Sequence, residues 1–167
     1  MDILFENKYQ RTETIYKEMY QYLCFKTPMR IFFDIIIGLS FILNIFFIIS
    51  GEYYTISVLF FVPIFFGIQF YQYFKAVKLS IKRQAEISSK DDVFIDIIIT
   101  DTEILSKAST GAETKTSLSK IKKLIKTKNL IMLQTEAKLI YIFHKDAFTT
   151  GSANEFLTFL KTKGLYK

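Results

Sequence analysis

The chain is poor in the residues that build metal centres, nucleophilic sites and disulfide scaffolds. It has one cysteine, Cys24, one histidine, His144, and no tryptophan. A lone cysteine excludes an intrachain disulfide, and one Cys with one His cannot supply the ligands of a His/Cys metal site. His144 has no companion for nucleophilic catalysis and reads as an ordinary strand residue. The six glycines, at 38, 51, 67, 111, 151 and 164, form neither G-x-x-x-x-G-K nor G-x-G-x-x-G, which excludes the two common phosphate-cradling loops. Positive charge is also missing from one long stretch: all 22 Lys/Arg lie in 1–30 or 75–167, and none in 31–74. These absences lead us to expect a protein that is not an enzyme and takes no cofactor or metal.

What is present is apolar. Half of the 167 residues are hydrophobic and 17% are aromatic, which excludes a disordered chain. Residues 31–50, IFFDIIIGLSFILNIFFIIS, carry one charge, and 53–74 carry none. At about 1.5 Å per residue each stretch is long enough, as a helix, to cross the roughly 30 Å hydrocarbon layer of a bilayer. Only Gly51 and Glu52 separate them, so a two-helix transmembrane hairpin is expected. A buried hairpin in a soluble helical protein is the competing reading. Lys8, Arg11, Lys17, Lys26 and Arg30 precede the first stretch, and Lys75, Lys78, Lys82 and Arg83 follow the second. The excess of bases places both termini in the cytoplasm. The expected location is therefore the bacterial inner membrane, multi-pass. Tyr53 and Tyr54 outside and Tyr71 and Tyr73 inside would form the interfacial belt. Residues 1–30 lack an apolar core, so no signal peptide is expected there.

Outside the hairpin the pattern changes twice. Residues 2–9 look extended and suited to pairing with a sheet edge. Thr12 is a candidate N-cap with Glu13 in the first turn, and Ile15, Met19 and Leu23 recur at helical spacing as far as Phe25. This stripe is expected to pack on the cytoplasmic domain, the membrane interface being the alternative. Pro28 ends that helix. Residues 75–90 continue the second stretch as a helical connector, ending at Ser88-Ser89. From 91 the period falls to two: Val93, Ile95, Ile97 and Ile99 alternate with their neighbours. Strands follow at 103–109, 113–117, 121–126, 130–135 and 139–145. Ser152 and Glu155 form a capping box for a last helix whose apolar face is Phe156, Phe159 and Leu160, with Gly164 as its C-terminal cap. The fold class expected is α+β: a two-helix transmembrane hairpin with a small antiparallel-sheet cytosolic domain and a C-terminal helix, in a pleckstrin-homology-like plan. Its divisions are 1–30, 31–74 (31–50 and 53–74), 75–90 and 91–167.

Residues 118–148, LSKIKKLIKTKNLIMLQTEAKLIYIFHKDAF, with the helix to Leu160, resemble the YcxB-like domain of bacterial membrane proteins. The features that carry the resemblance are Ile121-Lys122-Lys123, the turn Thr127-Lys128-Asn129, Lys145 with Phe148, and Glu155-Phe156. His144 departs from the pattern where a proline is common. The resemblance implies a pleckstrin-homology-like fold and no catalytic residues. By analogy of class it also brings immunity or envelope-stress roles into view.

Two groups of residues are candidates for function. Lys115, Lys120, Lys122, Lys123, Lys126 and Lys128 form a run with no acid between 114 and 135. Each Lys beside an anionic inner leaflet contributes about 1 kcal/mol, and Lys122, Lys126 and Lys128 are expected to share a face. The plain alternative is an edge strand guarded by Lys against aggregation. The second group is Asp34 and Asn44, polar residues inside the first apolar stretch. A carboxylate there is costly and marks a site by default, although pairing with Arg30 would make it structural. Asn44 is placed to bridge helices or protomers, and Pro63 and Gly67 to kink the second stretch or allow a close approach. Asp91, Asp92, Asp96, Asp101 and Glu103 offer oxygens to a hard cation, but their spacing matches no cation loop. Nucleic acid fits poorly, since the bases lack interleaved aromatics.

The leading expectation is a non-enzymatic membrane protein displaying a cytosolic interaction module, with self-protection against a membrane-active toxin or bacteriocin as its biology. Its partners would be the anionic bilayer surface and a membrane protein or further copies of itself. The alternative is an auxiliary transporter subunit, or an oligomeric channel using Asp34.

Overall fold

The computed structural model describes residues 2–51, 56–87 and 93–165. Glu52, Tyr53, Tyr54, the Ser88-Ser89 helix end, Asp91 and Asp92 lie outside the described residues. The chain divides into two compact units. One, the β unit, is Met1–Ile15 with Lys82–Lys167; the other, the helical unit, is Tyr16–Ile81.

In the β unit, buried and more exposed residues alternate where the sequence has period two, most plainly at Ile95, Ile97 and Ile99. The strands are β1 (Phe5–Gln10), β2 (Phe94–Ile99), β3 (Glu103–Ala108), β4 (Glu113–Ser117), β5 (Ile121–Lys126), β6 (Leu130–Thr135), β7 (Ile140–His144) and β8 (Phe148–Thr150). A helix, α4 (Ala153–Thr162), follows them. They form a five-stranded antiparallel sheet in the order β4-β3-β2-β1-β8 and a three-stranded sheet β5-β6-β7. The α+β class, the antiparallel sheets and the C-terminal helix thus agree with the sequence reading. The short β8 and a 3-10 turn at Leu118–Lys120 do not feature in it, because three residues are too few to show a period.

The N-terminal strand sits further inside than an edge position. β1 pairs with β2 along its whole length, from Phe5 opposite Ile99 to Gln10 opposite Phe94, and takes β8 on its other side. Paired residues then line up in rows across the sheet. Phe5, Ile99, Ile104 and Thr116 make one row; Asn7, Ile97, Ser106 and Thr114 make the next.

The two sheets are joined by side chains. The Asn7 Nδ2 donates to the His144 carbonyl at 2.8 Å, and its Oδ1 accepts from the His144 backbone N–H at 3.1 Å. A carboxamide has the donor and acceptor of a peptide group, so Asn7 bonds β7 as a neighbouring strand would. The Thr116 and Tyr141 hydroxyls share a second bridge of 2.6 Å. α4 closes the interior by burying Phe156 and Leu160 completely. The Phe156 ring lies 4.8 Å from that of Phe143 and 5.3 Å from that of Phe5. Its ends are set as the sequence implies. Ser152 Oγ accepts from the Glu155 N–H at 3.3 Å and donates to the Glu155 carboxylate at 2.8 Å. Gly164, at φ 71°, lets the Leu165 N–H reach the Leu160 carbonyl at 3.0 Å, which is a Schellman closure.

Most of the helical unit is formed by α1 (Glu13–Phe25), α2 (Pro28–Ile49) and α3 (Ile56–Ile87). Pro28 begins α2 rather than only ending α1, because a proline at the first helical position has no N–H to leave unpaired. Within the unit α1 meets α3 through Tyr20 and Phe25. The Tyr20 and Ser80 hydroxyls meet at 2.9 Å, and the Phe25 ring lies 5.3 Å from that of Phe70. Among the described residues one helix, α2, is long and apolar enough to cross a membrane. The second apolar stretch forms the first part of α3, which runs on through the connector to Ile87 without a break.

Candidate functional site

Along α2 and the first part of α3 many bulky apolar residues are exposed, while two amide side chains are buried. Ile42, Phe46 and Ile49 of α2 and Phe60, Phe61 and Ile64 of α3 are exposed. Gln69, by contrast, is 1% exposed and Asn44 9% exposed. The Gln69 Nε2 donates to Asp34 Oδ1 at 2.8 Å. These two residues lie about equally far from the loop between α2 and α3, as antiparallel packing requires. Asp34 is therefore held by Gln69, across the helix pair, and Arg30 instead places its guanidinium over the Phe65 ring, 5.2 Å from the centroid. Asn44 turns back on its own helix, donating to the Ser40 carbonyl at 2.8 Å. The structure does not bring Asp34 and Asn44 together. Gln69 was absent from the candidates; its signal is an amide in the middle of a charge-free apolar run. Gly67 is exposed, with open space where a Cβ would stand, so no close helix approach within the chain occurs there.

The lysine run is divided by the fold. Lys115 belongs to β4 and pairs with Glu103 at 2.8 Å. Lys120 ends the 3-10 turn, and Lys122, Lys123 and Lys126 lie on β5, the edge of the second sheet. Lys122 and Lys126 are exposed, whereas Lys123 is half-buried on the alternate side, where a register shift follows Ile121. Lys128 is exposed in the turn beyond β5. The Lys145 ammonium fixes that turn, donating to the carbonyls of Thr127 at 2.6 Å and Lys128 at 2.8 Å. The basic surface is thus Lys122 and Lys126 on one face, extended by Lys120 and Lys128 at its ends.

The same contacts explain the motif residues. Thr127 Oγ1 accepts from the Leu130 N–H at 3.1 Å and so closes the turn from the other side. Phe148 is half-buried, with its ring centroid 5.6 Å from that of the buried Phe156. Lys145, Phe148 and Phe156 therefore hold the fold; they do not converge on a reacting group.

The remaining polar candidates are dispersed. Asp96 lies 3.5 Å from Lys8, and Asp101 2.7 Å from Lys163. Among the described residues no three His, Cys, Asp or Glu side chains meet as a metal site requires. His144 is engaged through its backbone by Asn7. Cys24 is half-buried in α1, and that burial pushes its thiol above the ordinary range, against a smaller opposing pull from Arg30.

Residues 99–160 match the model of the family described as YcxB-like protein. The match covers the β unit from the end of β2 to the end of Leu160, including every motif residue discussed above. No curated protein and no solved structure matches the chain.

Proposed function

We propose that the chain is a membrane-anchored, non-enzymatic binding protein of the bacterial inner membrane. α2 and the first part of α3 cross the bilayer as a hairpin, both termini are cytoplasmic, and the β unit is a pleckstrin-homology-like module. The observation that carries this reading is the inverted polarity of the helical unit. Phe46 and Ile49 are 64% and 79% exposed, while Gln69 is buried against Asp34. In water this arrangement sacrifices the burial of large side chains, each worth about 1.5–3 kcal/mol. In hydrocarbon it is the favourable one, because lipid solvates the apolar face and the buried Gln69 amide donates to Asp34 within the helix pair. The charge-free run 56–74 and the bases that flank both stretches support two spans with the loop outside.

A meander of strands in two sheets closed by a C-terminal helix supports the pleckstrin-homology-like plan. The module's binding surface is the Lys122–Lys126 face, and its partners are anionic headgroups of the inner leaflet and a membrane protein docked beside them. A toxin-immunity role belongs to this class. The Asp34–Gln69 bond favours a lock between helices over a carboxylate facing a pathway.

Topology and binding are tested on the full chain. In a Cys24→Ser background, Ser50→Cys should react with a membrane-impermeant maleimide in intact cells, and Thr162→Cys only after permeabilisation. Labelling of both from one side, or release of the chain by alkaline carbonate, would refute the hairpin. Native purification with mass spectrometry of bound lipids and proteins then tests the binding role. Loss of co-purifying material in the Lys122→Glu/Lys126→Glu double variant is expected, and unchanged recovery would remove the lysine face.

A further inference from the structure

A cleft of about 170 Å³ opens on the inner side of the five-stranded sheet. Its cause is visible in the rows across the strands. The row that starts at Phe5 continues through Ile99 and Ile104, whereas the next ends in Ser106 and Thr114, and the row beyond it runs from Tyr9 through Ile95 to Ala108. The interior stops being filled where the residues of β3 and β4 become small and hydroxylic. Arg11, directly after β1, lines this gap. Its backbone is held from two sides: its N–H donates to the Val93 carbonyl at 2.8 Å, and its carbonyl accepts from Gln84 Nε2 at 3.1 Å. The Arg11 Nε–H is nonetheless buried with no hydrogen-bond partner. The hydroxyls of Ser106, Thr110 and Thr114 line the same cleft.

We infer that this cleft is a binding site for a phosphate-class oxyanion. Half-buried Arg11 brings a fixed positive charge to the lining of the cleft, and oxyanions are the groups that match the fork of N–H bonds of a guanidinium. Ser106 and Thr114 stand side by side on paired strands and Thr110 lies in the turn between those strands, so a tetrahedral group can accept from neighbouring hydroxyls while another of its oxygens meets the guanidinium. The oxyanion is either a free phosphate ion or the phosphate of a lipid headgroup. The cleft lies wholly in the β unit, and it shares no residue with the Lys122–Lys126 face, so it stands or falls apart from both the hairpin and that face.

The test uses the full chain purified in maltoside micelles and titrated calorimetrically with inorganic phosphate. A second arm reconstitutes it in nanodiscs of phosphatidylcholine alone or doped with phosphatidic acid. Saturable binding is expected in at least one arm. Arg11→Gln should weaken it by about tenfold or more, the effect of losing a charge-assisted bond. Thr114→Val keeps the branched shape and should weaken it several-fold, which serves as the readout if Arg11→Gln fails to fold. Binding in micelles identifies the free ion, and Arg11-dependent binding restricted to phosphatidic acid discs identifies a headgroup. No saturable binding in either arm, or equal binding by wild type and both cleft variants, would overturn the site.

Discussion

Replacing Asn7 by alanine removes both bonds that tie β1 to β7. The side chain is fully buried, and it meets the His144 carbonyl at 2.8 Å and the His144 N–H at 3.1 Å. Each bond contributes about 1 kcal/mol net, and a stranded backbone group costs about 1–3 kcal/mol when water cannot reach it. His144 is only half-buried, so water recovers part of that cost. We expect a loss of about 2–4 kcal/mol for Asn7→Ala. Asn7→Leu, which has the same branching of side-chain heavy atoms as asparagine but is bulkier, separates packing from bonding: it refills the space but leaves both His144 groups stranded. It should therefore destabilise to a similar degree. The assay is urea unfolding of the full chain in micelles followed by near-UV circular dichroism, which reports the packing of tyrosine and phenylalanine. Amide hydrogen exchange over Ile140–His144 gives a local readout. At about 1.4 kcal/mol per decade, protection there should fall roughly thirty-fold to several-hundred-fold. A cost below about 0.5 kcal/mol for both variants would refute the argument, and full rescue by Leu would show that Asn7 acts by filling space.

Three further perturbations have defined outcomes. Gln69→Leu leaves the Asp34 carboxylate inside the helix pair without its donor, so the hairpin should lose about 1–2 kcal/mol in thermal stability in nanodiscs; Asp34→Asn together with Gln69→Leu should restore part of it, and no effect of either would dismiss the lock. Gly151→Ala places a methyl 2.5 Å from the Phe5 ring at a backbone φ of 72°, so a loss of about 1–3 kcal/mol is expected in urea unfolding. An unchanged midpoint would mean that the Phe5 ring yields freely. Because burial raises the Cys24 thiol, its thiolate is scarcer at neutral pH than that of an exposed cysteine. Iodoacetamide should therefore alkylate it slowly at pH 7, with the rate still climbing at a pH where a free thiol has levelled off; a rate equal to that of glutathione at pH 7 would contradict this.

The sequence by itself determined the elements whose signals are local. The alternation from Val93 to Ile99 places β2, Ser152 with Glu155 and Gly164 bound the last helix, and the bare apolar runs announce α2 and the first part of α3. Each rests on residues a few positions apart, and strand period, capping and helix length are properties of that range. Short pieces escaped for the same reason: Phe148–Thr150 is an element only because β1 lies beside it. The lysine run was legible as charge, yet its division was not. Whether Lys115 stands with Lys122 depends on which strand belongs to which sheet. Tertiary structure alone decided the pairings of residues far apart in the chain. Asn7 is one polar residue in an alternating segment until β7, 137 positions away, is brought against it. Asp34 has Arg30 as its nearest sequence partner, and helix packing gives it Gln69 instead. Arg11 is one base among several before the first apolar stretch, and it acquires a cleft because the opposite strands end in small residues. Such pairings depend on long-range closure of the chain, and no local pattern records which distant group fills a donor's vacancy.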